Sequence, residues 1–220
     1  MRLGCKAQYM DIVIPIFPDF TALDAIGPYE VLRLLPEAKV TFAAAERGVV
    51  RTDSQMVGLH ADAALAEIES ADVLVVPGGW GTRAGMKDET LLAWVRRIHE
   101  TTRFTTSVCT GSLVLGGAGL LTGLKATTHW ANTDLLERTG ATYTAERVVQ
   151  QGKIITAAGV SAGIDMALTL AALIAGEDTA KAIQLGIEYD PQPPFDAGSP
   201  EKAGPEIVAL TGMHRDRPKD

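Results

Sequence analysis

Short apolar strands alternate with helical segments along the chain, and this alternation limits the possible folds more than any other feature. A buried strand is expected over residues 11–17 (DIVIPIF), followed by a helix over 21–35. Further strands are expected over 40–45, 71–76 and 104–108, with an amphipathic helix preceding the last of them. Strands that alternate with helices form a parallel sheet covered on both faces. The sequence therefore predicts an α/β fold with a mostly parallel sheet.

The second half of the chain continues the pattern with weaker strands and two long helices. These elements are a small hairpin over 49–59, strands at 126–128, 142–143 and 153–156, a very apolar helix over 160–175 and a last helix over 179–189. From Pro191 the composition becomes rich in proline and an extended segment is expected. Neither an internal repeat nor a linker divides the chain, so one domain over 1–220 is predicted, with 1–10 and 201–220 peripheral or loose.

Composition excludes several classes of partner. The chain has 220 residues and a net charge of −7, and its basic residues are scattered, so nucleic acid is not expected as a partner. The longest apolar runs are too short to span a bilayer, so no membrane partner is expected. Two cysteines, Cys5 and Cys109, make no disulfide framework, and a reducing cytoplasm is the expected location. A small molecule is the expected partner.

The segment FTTSVCTGSLVLGGAG, residues 104–119, places Cys109 where a β-branched strand turns abruptly into a helix of small residues. This arrangement is typical of a nucleophile elbow, with Cys in place of Ser. Because unpaired N–H groups at a helix start favour thiolate, Cys109 is a candidate nucleophile with an ionised thiol. The alternative is a small buried core residue, since free Cys is among the most buried residue types.

Two other strand ends carry groups that fit a thiol site. Ligands of such sheets bind beyond the carboxyl ends of the strands. Gly78 and Gly79 follow the strand at 71–76, so their N–H groups are candidates for stabilising negative charge on a substrate, although a plain turn is the favoured explanation for these glycines taken alone. Asp24 begins a helix after the first strand, where it either caps the helix together with Thr21 or holds a proton beside Cys109.

His129 completes the candidate residues, and it lies near a predicted strand end in TTHW. A Cys–His pair makes a thiol more nucleophilic, but a histidine hydrogen-bonded in a loop fits the position as well. Neither H-x-x-H nor C-x-x-C spacing occurs, so no metal is expected. The glycines of the chain also form neither a P-loop nor a strand-adjacent GxGxxG motif, so no nucleotide cofactor is expected.

Several motifs together resemble the ThiJ/PfpI superfamily, the class I glutamine amidotransferase-like group. They are PGG at 77–79, SVCTGSLVLGGAGLL at 107–121, ATTHWA at 126–131, ERVV at 146–149, AGIDMAL at 162–168 and EYDPQPPFDAGSP at 188–200. The similarity runs from about residue 11 to 200 and is looser over 36–70. Within the superfamily, the isonitrile (isocyanide) hydratases are the most similar group. The resemblance implies a flavodoxin-like three-layer sandwich with a nucleophile elbow.

Carried over by position, the resemblance implies Cys109 as nucleophile, Asp24 as the acid in contact with it and Thr110 as a further active-site residue. Gly79 matches the loop that supplies an amide to the substrate, and His129 matches a position near the cysteine. Many superfamily proteases, deglycases and glyoxalases carry His where this chain has Thr110. Trp80 departs from the small or polar residue expected after Gly79, and its ring is expected to reshape the pocket.

The activity implied by the resemblance is conversion of an isonitrile, R–N≡C, to an N-substituted formamide through a covalent thioimidate on Cys109. Asp24 would donate and accept the proton, and neither metal nor organic cofactor is needed. Three alternatives stay open: a glyoxalase or deglycase, a non-catalytic sensor domain related to AraC-type regulators, and a redox sensor that uses Cys109 oxidation. Superfamily members commonly form dimers, so a homodimer is expected.

Overall fold

The computed structural model describes residues 9–213. Cys5 and parts of the two ends predicted as peripheral or loose, 1–8 of 1–10 and 214–220 of 201–220, lie outside the described residues. The strands, in chain order, are β1 Met10–Pro15, β2 Ala38–Ala44, β3 Gly48–Arg51, β4 Gly58–Ala61, β5 Ala63–Ala64, β6 Val73–Val76, β7 Phe104–Val108, β8 Lys125–Ala126, β9 Thr142–Tyr143, β10 Val148–Gln151 and β11 Ile154–Ala157. The helices are α1 Ala22–Leu32, α2 Thr82–Gly85, α3 Glu89–Thr101, α4 Gly111–Gly117, α5 Thr133–Glu137, α6 Ala162–Ala175, α7 Glu177–Gly186 and α8 Pro200–Leu210.

Seven strands form one sheet in the order β10-β11-β7-β6-β1-β2-β5. All neighbours run parallel except β10 and β11, which are antiparallel. The predicted hairpin is present as the antiparallel pair β3 and β4, and β8 pairs with β9 in a second small sheet. The predicted mostly parallel α/β fold is confirmed.

Each face of the sheet buries its own apolar core. Ile12 and Ile14 of β1 and Ile16 just after it belong to the core on one face, which α1, α6 and α7 cover with side chains such as Leu32 and Leu170. Val13 points to the other face, which α3 and α4 cover with a second set of apolar residues. Successive residues of a strand face opposite sides, so a run such as DIVIPIF supplies both cores at once. The result is the expected three-layer sandwich.

The helix α8 is a difference from the sequence-based expectation of an extended or loose C-terminal end. It begins at Pro200 after Ser199, whose hydroxyl accepts a hydrogen bond from the Lys202 N–H at 3.4 Å. It bends at Gly204, which has a φ of 76°, and none of its residues is buried. The prolines and glycines of this stretch favour a loop by composition, but Ser followed by Pro is also a helix start signal.

No helix among residues 9–213 combines the length and the apolar character that crossing a membrane requires.

Candidate functional site

The carboxyl ends of three adjacent strands assemble the site. The strands β7, β6 and β1 are neighbours in the sheet. Cys109 follows β7, Gly78 and Gly79 follow β6, and Asp24 lies in the first turn of α1, the helix after β1. Parallel strands end at the same edge of a sheet, so residues far apart in sequence meet there. The structure thus brings together the candidate residues of all three strand ends.

Cys109 occupies a strained turn between β7 and α4. Its φ is 56°, in the left-handed region that residues other than glycine rarely adopt. The backbone holds this geometry, because the Cys109 N–H donates to the carbonyl oxygens of Ala157 and Ala158 at 3.1 and 2.9 Å. The Thr128 hydroxyl donates to the Cys109 carbonyl at 3.1 Å. The predicted nucleophile elbow is therefore present in its geometry.

Close packing behind the elbow depends on Gly111. A Cβ atom at this position would lie 2.1 Å from the Val76 carbonyl oxygen, much closer than atoms approach without bonding. The missing side chain lets α4 begin directly against β6. Gly111 therefore sets how far Cys109 projects toward the neighbouring strand end.

Asp24 is completely buried, and its carboxyl group is held by the backbone after β6. Its Oδ2 accepts a hydrogen bond from the Gly78 N–H at 2.9 Å. Its Oδ1 is buried without a hydrogen-bond partner in the part of the chain that is described. Burial raises the pKa of Asp24 to about 7, against partial opposition from the Gly78 hydrogen bond and the Cys109 thiol. This carboxyl group can carry a proton at neutral pH.

The Cys109 thiol is also buried, with 5% of the residue exposed. Burial, followed by the Asp24 carboxylate, raises the pKa of Cys109 to about 12. The expectation that the helix start favours thiolate is therefore wrong, because desolvation by burial and the Asp24 charge outweigh the hydrogen bonds to the sulfur. Two adjacent acids of this kind titrate as a pair. Cys109 becomes a thiolate when the proton that the two groups share is on Asp24.

Thr110 ties the elbow to the loop after β6. Its hydroxyl accepts a hydrogen bond from the Gly79 N–H at 2.9 Å. The same hydroxyl donates to the Gly79 carbonyl oxygen at 3.1 Å. The Thr110 backbone N–H and hydroxyl also oppose part of the rise in the pKa of Cys109. Residue 79 has to be glycine, because its φ is 124° and because a Cβ there would lie 2.4 Å from the Thr21 nitrogen.

These contacts correct the role expected for the two glycines. The Gly78 N–H is donated to Asp24, and the Gly79 N–H is donated to Thr110. Both amides therefore position side chains of the site instead of facing a substrate. A Cβ atom at Gly78 would also lie 2.7 Å from Asp24 Oδ2, so this glycine makes room for the carboxyl group.

The capping interpretation of Asp24 is not what the structure shows. Thr21 is the residue before α1, yet its hydroxyl donates to Asp53 Oδ2 at 2.6 Å and makes no cap hydrogen bond. Asp24 turns inward to Gly78 instead of toward the helix start. Of the two alternatives for Asp24, the structure supports the residue beside Cys109.

Val160 is a residue that the sequence analysis missed. It has a φ of 32°, which is a marked outlier for a β-branched side chain. Its backbone N–H hydrogen-bonds to the Cys109 sulfur and opposes part of the rise in the thiol pKa. Strain of this kind persists where the surroundings impose it and is concentrated at functional sites. No sequence motif marks Val160, because the strain belongs to its backbone.

His129 lies in the wall of the cavity as a neutral ring. Its Nδ1 accepts a hydrogen bond from the Ala131 N–H at 3.3 Å, so the neutral ring carries its proton on Nε2. Burial and then the positive charge of Arg83 lower the pKa of His129. His129 is therefore a hydrogen-bond donor rather than a base that activates Cys109.

A cavity of about 620 Å³ opens above Cys109 and is large enough for a small organic molecule. It is lined by predicted residues and by residues from other segments: Thr21, Asp53, Gly79, Trp80, Arg83, Cys109, Thr110, His129, Ala131, Asn132, Val160, Gly212 and Met213. Trp80 lines the cavity, and the Arg83 guanidinium lies 3.8 Å from the centroid of its ring. Arg83 in turn donates to Asn132 at 2.9 Å.

The cavity offers no evident metal site. Over residues 9–213, His, Cys, Asp and Glu nowhere form a group of three that could hold a metal ion. The reactive groups that this arrangement presents are a thiol, a carboxyl group that titrates near neutral pH, and backbone N–H donors around the sulfur. This set is suited to attack on an electrophilic carbon coupled to transfer of a proton.

Comparisons with known proteins agree with this geometry. Residues 10–173 match the model of the DJ-1/PfpI family. An isonitrile hydratase from Pseudomonas putida is 46% identical over 193 residues, which cover 88% of this chain and 84% of that protein.

Solved structures show the same fold. A ThiJ/PfpI family protein from Pseudomonas syringae superposes with a TM-score of 0.88 at 37% identity, covering 94% of this chain and 85% of that one. Drosophila melanogaster DJ-1beta, at 23% identity, superposes with a TM-score of 0.76 over 82% of this chain and 98% of its own. By its family match, its relatives and its fold, the chain belongs to the DJ-1/PfpI (ThiJ/PfpI) family.

Proposed function

We propose that this protein hydrates isonitriles, R–N≡C, to N-substituted formamides, R–NH–CHO, with Cys109 as nucleophile. The observation that carries the proposal is the buried Asp24 carboxyl group beside the Cys109 thiol, with a pKa of about 7. The terminal carbon of an isonitrile must gain both a nucleophile and a proton, and this pair supplies both. The 46% identity to an isonitrile hydratase supports the same reaction.

The first step uses the form of the pair in which Asp24 holds the proton. The Cys109 thiolate attacks the terminal carbon of the isonitrile and forms a C–S bond, while the Asp24 proton moves to the same carbon. The product is a thioimidate, R–N=CH–S–Cys109, and Asp24 is left ionised. Asp24 Oδ1 has no hydrogen-bond partner among residues 9–213, so no other described group competes for this oxygen.

The second step hydrolyses the thioimidate with the same carboxylate. Asp24 accepts a proton from water as the water oxygen bonds to the carbon, and this proton is passed to the substrate nitrogen. The tetrahedral intermediate then returns its hydroxyl proton to Asp24 as the C–S bond breaks. The formamide leaves, and the pair is back in its starting form with no net proton taken up or released.

Donors around the sulfur support both steps. The Val160 and Thr110 N–H groups hydrogen-bond to Cys109 and stabilise the thiolate as it attacks and as it leaves. His129 lines the cavity with its Nε2–H available as a donor to the substrate nitrogen or the formamide oxygen. In this mechanism Asp24 carries out the proton transfers, and His129 binds the substrate.

Turnover of p-nitrophenyl isocyanide tests the proposal, with formation of the formamide followed by chromatography. The wild-type protein is expected to form N-(p-nitrophenyl)formamide, whereas Cys109→Ala is expected to form none. Asp24→Asn keeps an oxygen acceptor for Gly78 and is expected to lose most activity. Methylglyoxal serves as the competing substrate. Consumption of methylglyoxal without turnover of the isocyanide would overturn the proposal in favour of a glyoxalase or deglycase.

We further propose that the protein acts as a homodimer in the cytoplasm. Support for association comes from exposed apolar side chains on and beside the β3–β4 hairpin, where Val49, Met56 and Val57 are 63%, 83% and 41% exposed. The free thiol of Cys109 suits a reducing compartment. Light scattering coupled to gel filtration is expected to give twice the 23.3 kDa mass of the chain. A monomer mass would contradict the dimer.

A further inference from the structure

Residues from three of the sequence motifs meet beside the loop that follows β11, yet none of them has a part in the proposed reaction. Arg147 belongs to ERVV at 146–149, Asp165 to AGIDMAL at 162–168 and Tyr189 to EYDPQPPFDAGSP at 188–200. The Arg147 Nε–H donates to Asp165 Oδ2, and the Tyr189 hydroxyl donates to Asp165 Oδ1 at 3.2 Å. Both carboxylate oxygens of Asp165 therefore accept a hydrogen bond, which holds the Arg147 guanidinium against α6.

Another nitrogen of the same guanidinium reaches the residue just before α6. The Arg147 Nη2 donates to Ser161 Oγ at 3.2 Å. Ser161 stands at the N-cap position of α6, but its side chain makes no cap hydrogen bond there, so the contact with Arg147 is not shared with the helix. Because the guanidinium is a rigid planar group with several N–H donors, it holds Asp165 and Ser161 in a fixed relative position. We call Arg147, Ser161, Asp165 and Tyr189 the Arg147 network.

The backbone of Arg147 holds the chain on the opposite side of Val160. Its carbonyl oxygen accepts a hydrogen bond from the Ala158 N–H at 2.9 Å. The Ala158 carbonyl oxygen in turn accepts one from the Cys109 N–H, also at 2.9 Å. Arg147 therefore contacts the residue two positions before Val160 through its backbone and the residue one position after it through its side chain.

Val160, between these two contacts, is a strained residue of the site. Its φ is 32°, it lines the cavity together with Cys109, and its N–H is a donor to the Cys109 sulfur. A β-branched residue keeps such a backbone only where its surroundings impose it. The restraint before Val160 includes close packing of Gly159, where a Cβ atom would lie 2.9 Å from His129 Cδ2. The restraint after Val160 comes from the Arg147 network.

The Arg147 network is too exposed to act through overall stability. The side chains of Arg147 and Asp165 are 50% and 31% exposed, and ion pairs of this kind contribute little to the free energy of unfolding. Neither Arg147 nor Ser161 is among the described residues that line the cavity above Cys109. The network therefore affects the reaction through the position of the segment that it holds.

We propose that Arg147 is a positioning residue, which holds residues 158–161 so that the Val160 N–H stays directed at the Cys109 sulfur. The rest of the network orients the guanidinium, and Ser161 is the point at which the guanidinium restrains the chain. Without that restraint, Val160 is expected to relax toward an ordinary φ and to withdraw its N–H from the sulfur. This role concerns the resting thiol and rests on the proposed function only for its effect on turnover.

Replacing Ser161 with Ala tests this role without changing any charge. The readout is the alkylation rate of Cys109 by iodoacetamide at about pH 8, with peptide mass mapping to separate Cys109 from Cys5. Ser161→Ala is expected to lower this rate about threefold, since a hydrogen bond to the charged sulfur is weakened. Ser161→Thr keeps a hydroxyl for Arg147 and is expected to restore the rate. Both variants are expected to unfold at the wild-type urea midpoint, because Ser161 is exposed.

Arg147→Met tests the same contact from its other end. This variant keeps the backbone carbonyl that accepts the Ala158 N–H but removes the guanidinium, and its alkylation rate is expected to fall about fivefold. Adding Ser161→Ala to it is expected to lower the rate no further, because the contact is already lost. Arg96→Met is the matched control, since Arg96 forms an ion pair with Glu89 on the distant helix α3. Its alkylation rate is expected to match that of the wild type.

Turnover of p-nitrophenyl isocyanide separates this role from the proposed function. In Ser161→Ala, kcat is expected to fall by the same factor as the alkylation rate while KM is unchanged, because Ser161 does not line the described cavity. An alkylation rate in Ser161→Ala that equals or exceeds the wild-type rate would overturn the positioning role, and so would independent, multiplicative effects of the Arg147 and Ser161 substitutions. If Ser161→Ala lowers the alkylation rate but the wild type turns over no isocyanide, the proposed function fails and the positioning role stands.

Discussion

At the scale of single residues, the burial of Asp24 lowers the stability of the folded state and also provides the site with an acid. A completely buried carboxyl group with one backbone hydrogen bond is costly to ionise, and its pKa rises to about 7 as a result. The same cost gives the site an acid that holds a proton at neutral pH. The residue that supplies the proton in the proposed reaction is therefore one that weakens the folded state above acidic pH.

The linkage between this pKa and stability has a definite sign. In the unfolded chain Asp24 ionises near its ordinary value of 3.8, and in the folded protein it ionises near 7. Between these values the folded state keeps a proton that the unfolded state has lost. The free energy of unfolding contributed by Asp24 therefore falls as pH rises across this window and is constant above it.

Replacing Asp24 with Asn is expected to stabilise the protein at about pH 8, by up to about 4 kcal/mol, and to have little effect at about pH 4. The amide oxygen of Asn can still accept the Gly78 N–H, while the penalty of a buried charge disappears. Urea unfolding of both proteins at the two pH values measures the difference. An equal difference in the free energy of unfolding at both pH values would show that ionisation of Asp24 does not cause the stabilisation.

Residue identities at the site were more predictable than their electrostatics. Cys109 and Thr110 stand in a motif and Asp24 begins the helix after the first strand, so the sequence marks all three, and the structure brings them together. The direction of the Cys109 pKa was not predictable, because it depends on burial and on Asp24, which meets the thiol only after folding. Val160 and Asp53 were missed for a similar reason, since a strained backbone and a hairpin loop leave no motif.

At the scale of elements, the β7–α4 turn carries the site, and its geometry depends on a residue without a side chain. Gly111 lets α4 begin against β6, where a Cβ atom would lie 2.1 Å from the Val76 carbonyl oxygen. Because that neighbour is backbone in a buried strand, it cannot move aside cheaply. A side chain at position 111 would therefore force α4 to shift, and Cys109 would shift with it.

Gly111→Ala is therefore expected to destabilise the protein by about 2 kcal/mol and to lower isocyanide turnover roughly tenfold or more. Gly186→Ala at the end of α7 is the matched control, because nothing lies within 4 Å of a Cβ built there. Denaturant unfolding and kcat/KM of both variants make the comparison. Similar behaviour of the two variants would contradict the close packing assigned to the elbow.

The elements themselves were predicted best where apolar patterning was strongest. The strand at 104–108 is β7 with identical bounds, and the helix expected over 160–175 is α6, Ala162–Ala175. α8 was missed because Pro200, Gly204 and Pro205 interrupt any helical pattern. Its residues are all outside the core, so no apolar periodicity was present to outweigh the prolines and glycines.

At the scale of the whole molecule, one sheet supports both cores and the site. The two apolar clusters lie on opposite faces of the same strands, so neither can lose its packing without exposing the sheet to water. The site sits at the strand ends between these cores. Its geometry is therefore expected to persist until the sheet itself unfolds.

This arrangement predicts a single unfolding transition in urea. Far-ultraviolet circular dichroism reports the helices of both faces, while tryptophan fluorescence includes Trp94, a buried residue of α3 on one face. The two signals are expected to have the same midpoint and the same slope. A fluorescence transition that precedes the loss of helix would indicate that the two layers unfold separately.

The central claim is that Cys109 forms a covalent bond to the carbon of an isonitrile. Rapid acid quenching during turnover of p-nitrophenyl isocyanide, followed by mass spectrometry, measures it directly. We expect a transient adduct whose mass equals that of one substrate molecule, located on the peptide that contains Cys109 and absent from Cys109→Ala. Formamide formation at the full rate with no such adduct, or with the adduct on another residue, would contradict it.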